Sequence, residues 1–205
     1  MDMKERMRAG LPYRVDDVLL GESLEAKRRA RRFNLLDPGD VQGQTALLAE
    51  IFGKVGKNCV VCAPLYVDYG KNTEIGEGFF ANYNFVVLDV AKVTIGNDVF
   101  CGPNVTLTTA GHPVHYEPRN SRYEYGIPIE IGNNVWLGAN VVVNPGASVG
   151  ANSVIGSGSV VTGRIPPDVV AAGNPCRVIR EITEEDKKYY YKRLCHNKWL
   201  IFDEK

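Results

Sequence analysis

The 205-residue chain has no surplus of charge in either direction, since 24 Lys and Arg balance 24 Asp and Glu. Without a basic surplus there is no bulk attraction to nucleic acid. No apolar run approaches the length needed to cross a bilayer. The opening residues, Met1-Asp2-Met3-Lys4-Glu5-Arg6, are charged where a secretory leader would be apolar, so a cytoplasmic protein is expected. Histidine is scarce, with three in all. Only His112 and His115 lie close together, and His196 is in the tail, so the usual three-ligand catalytic zinc is not met in an obvious way. The five cysteines are an odd number. Cys59 and Cys62 form a lone C-x-x-C with no second pair and no nearby His, which reads as strand packing rather than a redox or zinc pair.

What the chain does have is a period. Ile131, Leu137, Val143, Val149, Ile155 and Val161 recur every six residues. The residue after each is Gly132, Gly138, Asn144, Gly150, Gly156 and Thr162, and the residue four after each is mostly small or β-branched. Neither an amphipathic helix nor a plain alternating strand gives that period. Short strands separated by bends do: three bends close a triangular coil and stack equivalent aliphatics into interior columns. The expectation is a mainly β parallel β-helix of hexapeptide repeats. The turn formers Gly132, Gly138 and their equivalents are expected at corners with positive φ.

The rest of the chain arranges itself around this coil. Residues 1–55 lack the period and read as a helical N-terminal segment packing on the coil. It has a short helix at Met3 to Arg8, a helix from Leu24 to Phe33 with Ser23 as N-cap, and another from Gln44 to Phe52. Lys27, Arg28, Arg29, Arg31 and Arg32 form a basic cluster, either a solvated helix face or a contact for an anionic cofactor or partner. The coil occupies 56–182. Ile75, Ala81 and Val87 keep step, Ile95, Cys101 and Leu107 resume it after two extra residues, and Cys101 is expected inside. Pro113, Arg119 and Tyr125 are wrong for an interior, so about 110–128 is expected as a loop thrown out of the coil. Thr183 would then cap a tail helix, Glu184 to about His196, within a terminal segment 183–205.

The extruded loop holds Gly111-His112-Pro113-Val114-His115. Imidazole titrates near neutral pH, so a His on a Pro-fixed loop is a candidate general base; the plain alternative is a surface histidine with no task. Asn82 follows Phe79-Phe80-Ala81, and its plain alternative is a corner residue chosen for positive φ.

These residues resemble a family. Phe79-Phe80-Ala81-Asn82, Thr109-Ala110-Gly111-His112-Pro113, Ile131 through Gly138, and Ala171-Ala172-Gly173-Asn174-Pro175 are similar to the maltose/galactoside O-acetyltransferases over nearly the whole chain. The resemblance implies a left-handed coil, a homotrimer with sites at subunit interfaces, acetyl-CoA as co-substrate with no metal, and a small sugar as acceptor. It implies His112 as the base that deprotonates the sugar hydroxyl in a direct transfer. Asn82, Asp16, Asp68 and Glu124 would bind the acceptor. Trp136 would flank the pantetheine arm, and the N–H of Ala139 would face the oxyanion. Ser157 and Thr162 would line the cofactor channel, with Arg177 and Arg180 near the nucleotide. Asp68 and Glu124 match the maltose type, the stretch from Val169 to Tyr191 the galactoside type. Val15, Val90, Ser23 and Gly163 depart from residues common in the family. The alternatives are a non-sugar acceptor such as an antibiotic, a β-helix metalloenzyme, and a non-catalytic scaffold.

Overall fold

The structure, a computed structural model, describes residues 1–191, 194 and 195. Three parallel sheets wind about one core. The first face stacks Lys54–Val55, Thr73–Ile75, Val93–Ile95, Ile129–Ile131, Ser148–Val149 and Arg164–Ile165. The second stacks Val60–Val61, Phe80–Ala81, Phe100–Cys101, Trp136–Leu137, Val154–Ile155 and Val169–Ala172. The third stacks Leu65–Val67, Phe85–Leu88, Thr106–Thr108, Val142–Val143 and Val160–Val161. Ile131 pairs with Val149, Leu137 with Ile155 and Val143 with Val161, so three steps of six complete one coil. The hexapeptide aliphatics are buried, and so are the residues four after them, from Val135 to Ile165. Cys101 is buried among them, where burial pushes its thiol well above the usual range.

The corners differ from expectation in one respect. Positive φ falls three residues after the aliphatic, at Asn134, Asn140, Gly146, Asn152 and Gly158, and not on the glycine directly after it. Asn tolerates this region because its short amide bonds locally. Here those amides also bond to each other: Asn84 to Asn104 at 2.9 Å, and Asn104 to Asn140 at 3.0 Å. Glycine directly after the aliphatic answers a different need. A Cβ on Gly138 would stand 2.6 Å from the Ser157 N of the next coil, so the backbones could not stack. Asn82, likewise directly after its inward residue, does not have positive φ, so positive φ is not what selects it there.

The N-terminal segment closes one end of the coil. Helix α1 (Met3–Arg8) has a capping box from Asp2 and Glu5. Helix α2 runs Asp17–Asn34, longer than expected, because Asp16 rather than Ser23 caps it by accepting the Leu19 N–H. Ser23 is buried mid-helix and Leu24 faces out, while Ala30 and Phe33 face in. Helix α3 covers Val41–Ile51. Phe33, Leu48, Ile51 and Phe52 join the core of the first coil. Asn34 donates to the Leu65 carbonyl and accepts from its N–H, satisfying a strand that has no neighbour below. The basic cluster is mostly tied within the chain: Lys27 to Asp68, Arg28 and Arg29 to Glu25, Arg32 to Glu50.

At the other end Arg177–Glu181 runs antiparallel to Val169–Ala172 and covers the edge of the second face. The tail helix expected from Glu184 is a five-residue 3₁₀ helix, Glu184–Lys188, followed by the strands Tyr189–Tyr191 and Leu194–Cys195. The tyrosine run that follows Lys188 favours strand over helix. His196 lies outside the described residues. No helix among the described residues is long and apolar enough to cross a membrane.

Candidate active site

The extruded loop leaves the third face after Thr108 and returns to the first at Ile129, whose strand resumes register with Val93–Ile95. Its stem is the antiparallel pair Ala110–Gly111 and Tyr125–Gly126, and its tip is a short helix α4, Tyr116–Asn120. A Cβ on Gly111 would lie 2.5 Å from the Tyr125 ring, so glycine lets the stem close directly before His112. The His112 ring is 54% exposed. Its Nδ1 lies 3.3 Å from the Tyr123 carbonyl oxygen. A ring donating Nδ1–H there presents the Nε2 lone pair to whatever enters. Nε2 is 3.9 Å from a carboxylate oxygen of Glu124, whose side chain is 16% exposed. A recess of about 640 Å³ opens here, lined by Val15, His112, Arg119, Asn120, Arg122 and Glu124. Arg119 in its wall donates to the Pro113 and Val114 carbonyls.

The other acceptor candidates divide. Asp68 follows the third-face strand of the first coil and sits 3.6 Å from Lys27 Nζ. Burial raises its pKa, and Lys27 acts against that rise. Asp16 spends one oxygen on its helix cap. Asn82 lies at another corner, between the second and third faces, where its side-chain oxygen accepts from the Tyr83 N–H at 2.8 Å.

The cofactor candidates gather mostly on the second face and that second corner. Trp136 is 55% exposed and points outward from the second face. The Ala139 N–H, expected to face an oxyanion, donates here to Ser157 Oγ at 3.1 Å. Thr162 is exposed at the corner between the third and first faces, away from both. Arg177 donates to the Cys176 carbonyl at 2.8 Å. Arg180 is gripped through both terminal nitrogens by Asp186, at 2.8 and 2.7 Å, a fork-on-carboxylate pair. This pairing holds the Asp186 carboxyl down at about 2.

The candidate residues of one chain therefore fall into two groups. His112, Glu124 and Asp68 belong to the corner between the third and first faces; Asn82, Trp136, Ala139 and Ser157 belong to the second face and its corner with the third. The width of the third face separates them. Spacing of residues in the sequence did not reveal this split, nor the contact of Tyr13, far earlier in the chain, which bridges Glu124 in the loop.

Known proteins share this sequence and fold. The bacterial transferase hexapeptide family (six repeats) matches residues 128–163, and the maltose acetyltransferase hexapeptide capping motif matches residues 6–56. A galactoside O-acetyltransferase of Escherichia coli (strain K12) is 50% identical over 193 residues, 94% of this chain and 95% of the relative. A second, from Lactococcus lactis, is 42% identical over 92% of this chain and 90% of its own length. A solved galactoside acetyltransferase in complex with coenzyme A superposes with a TM-score of 0.92 at 49% identity, covering 95% of this chain and 98% of that one. A maltose O-acetyltransferase from Clostridium difficile 630 superposes at 0.88 with 46% identity, covering 90% and 99%. The capping helices, the coil and the looped-out histidine together place this chain in the maltose/galactoside O-acetyltransferase family of hexapeptide-repeat acyltransferases.

Proposed function

We propose that the protein is an acetyl-CoA-dependent O-acetyltransferase acting on a hydroxyl of a small sugar of maltose, glucose or galactoside type, with His112 as general base. The observation that carries this reading is the ring itself: its Nδ1 is taken up by the Tyr123 carbonyl and its Nε2 is open beside Glu124 over a recess. Nε2 accepts the hydroxyl proton as the sugar oxygen attacks the thioester carbonyl carbon. The tetrahedral oxyanion collapses, the C–S bond breaks, and the imidazolium returns the proton to the CoA thiolate. Glu124 stabilises the imidazolium while it exists. The Ala139 N–H serves the oxyanion once the thioester oxygen displaces Ser157 Oγ from it.

The assembly belongs to the same proposal. Outward columns differ sharply between faces. The first presents Lys54, Glu74, Thr94, Glu130, Ser148 and Arg164, a solvent-facing set. The second presents Val60, Phe80, Phe100, Trp136, Val154 and Val170, an apolar stripe unsuited to water. A homotrimer covers that stripe and brings the His112 corner of one chain to the Asn82 and Ala139 corner of the next, with acetyl-CoA between them. Val15 gives the recess one apolar patch beside the polar groups of Asn120, Arg122 and Glu124, a mixed lining suited to a sugar.

The experiment is a panel of glycosides, free sugars, amines and antibiotic alcohols assayed for CoA thiol release. Transfer to glycosides at rates well above water is expected. Acetyl-CoA binding without transfer to any sugar, or transfer only to an antibiotic or amine, refutes the sugar assignment.

A further inference from the structure

The segment just before α2 meets the extruded loop at two successive residues. Tyr13 and Glu124 form an antiparallel bridge, exchanging both backbone hydrogen bonds at 3.0 Å. The next residue, Arg14, lies with its guanidinium carbon 4.4 Å from the centre of the Tyr123 ring. These two loop residues are the ones that touch His112, Tyr123 through its carbonyl and Glu124 through its carboxylate. The N-terminal segment thus grips both supports of the ring.

Tyr13 adds a second observation. It is wholly buried, packed with Met7, Leu19, Tyr69 and Val90, and its hydroxyl has no hydrogen-bond partner among the described residues. An unsatisfied buried hydroxyl is costly and needs a reason. Directly opposed residues in such a bridge carry their side chains on the same side of the ribbon. The acid opposed to Tyr13 in the bridge is Glu124, with Tyr69 and Asp68 acting on it more weakly, and burial first and Glu124 next raise the phenol well above its ordinary range. The plain alternative is that the hydroxyl is an orphan of an otherwise apolar cluster.

We propose that Tyr13 is a positioning residue whose hydroxyl donates to the Glu124 carboxylate when His112 takes up the substrate proton, keeping that carboxylate against the imidazolium. The inference rests on the general-base reading of His112. Turning the Glu124 carboxylate toward the hydroxyl would give it a partner, and the bridge ties the two backbones together. Tyr13→Phe removes this one donor without changing the packing volume.

The test is a cycle of Tyr13→Phe, Glu124→Gln and the double variant, read by kcat and KM against pH and separately by urea unfolding. Tyr13→Phe is expected to lower kcat about tenfold, the scale of one hydrogen bond to a charged group. It should leave the KM for acetyl-CoA unchanged and shift the acidic limb of the kcat/KM profile. In the Glu124→Gln background it should cost nothing further, and the two stability changes should likewise fail to add. Wild-type kcat in Tyr13→Phe, with a urea midpoint equal to or above that of the wild type, identifies an orphan hydroxyl and overturns the proposal. So does strict additivity in either readout. A wild-type protein inactive on every acceptor counts against the general-base reading, and the urea cycle still decides the Tyr13–Glu124 contact by itself.

Discussion

Replacing His112 with alanine is expected to lower kcat for acetyl transfer by ~10²–10⁴-fold, the usual contribution of a positioned general base. The dissociation constant for acetyl-CoA should stay within about twofold, because the ring serves the acceptor hydroxyl while Trp136, Ala139 and Ser157 of the neighbouring chain are the groups proposed to hold the cofactor. The physical reason is the weakness of a neutral alcohol as a nucleophile: without a base at its oxygen, attack on the thioester must build an oxonium. The fold should survive, since the ring is over half exposed and contributes little packing. Stopped assays of CoA thiol release and calorimetry of CoA binding check both halves. Full activity in His112→Ala would end the assignment of the base. Loss of CoA binding with loss of turnover would move His112 from chemistry to cofactor capture.

The second large effect concerns stability. Asp89 is wholly buried where the repeat slips by two residues. One carboxylate oxygen accepts from the Tyr69 and Gly70 N–H groups, both at 2.9 Å. The other accepts from the Asn72 N–H at 3.2 Å and the Thr73 hydroxyl at 3.0 Å. Four donors of the coil below thus converge on one side chain, which pins the corner carrying Tyr69 and Asp68. Asp89→Ala leaves all four without acceptors and is expected to cost about 3–5 kcal/mol of unfolding free energy. Asp89→Asn, which retains one acceptor oxygen, should cost about 2 kcal/mol.

The same group gives a pH dependence with a definite sign. Burial raises the Asp89 carboxyl to about 6, while the hydrogen bonds from Tyr69, Gly70 and Thr73 restrain it from rising further. The native state therefore holds a proton that the unfolded chain has released between roughly pH 4 and pH 6. Its contribution is full below that window and is lost as pH rises through about 6, a change of roughly 3 kcal/mol, flat above. Urea midpoints of wild type minus Asp89→Asn across pH 4–8 isolate it, since groups common to both cancel. A difference that grows with rising pH would reverse the sign and show that the four donors dominate over burial.

Much of this architecture can be read from residue spacing because the coil repeats its own solution. Each aliphatic at a step of six meets the same steric demand, so Ile131 through Val161 announce the interior by recurrence alone. The corners were harder. Glycine serves both positive φ and close backbone stacking, and only coordinates show that Gly138 does the second while Asn140 does the first. The N-terminus of α2 is not fixed by local propensity, because Ser23 and Asp16 are both good caps. The tail helix failed because Thr183 and Asp186 make a valid capping box for a helix that then stops after five residues. Asp89 and Tyr13 gave no local signal: each acts on residues brought to it by the fold. The site divides in the same way. His112 sits in a recognisable motif, whereas its supports, Tyr123 and Glu124, depend on an N-terminal segment more than a hundred residues earlier.

Subunit complementation tests the central claim, that acetyl transfer needs the His112 corner of one chain and the Asn82 corner of its neighbour. His112→Ala and Asn82→Ala, each weakly active alone, are unfolded, mixed in equal amounts and refolded together. Random trimers place an intact pair of corners at roughly a quarter of interfaces, so about a quarter of wild-type thiol release should return. Activity that stays at the level of the separate variants would show that each chain builds its site alone and would contradict the account.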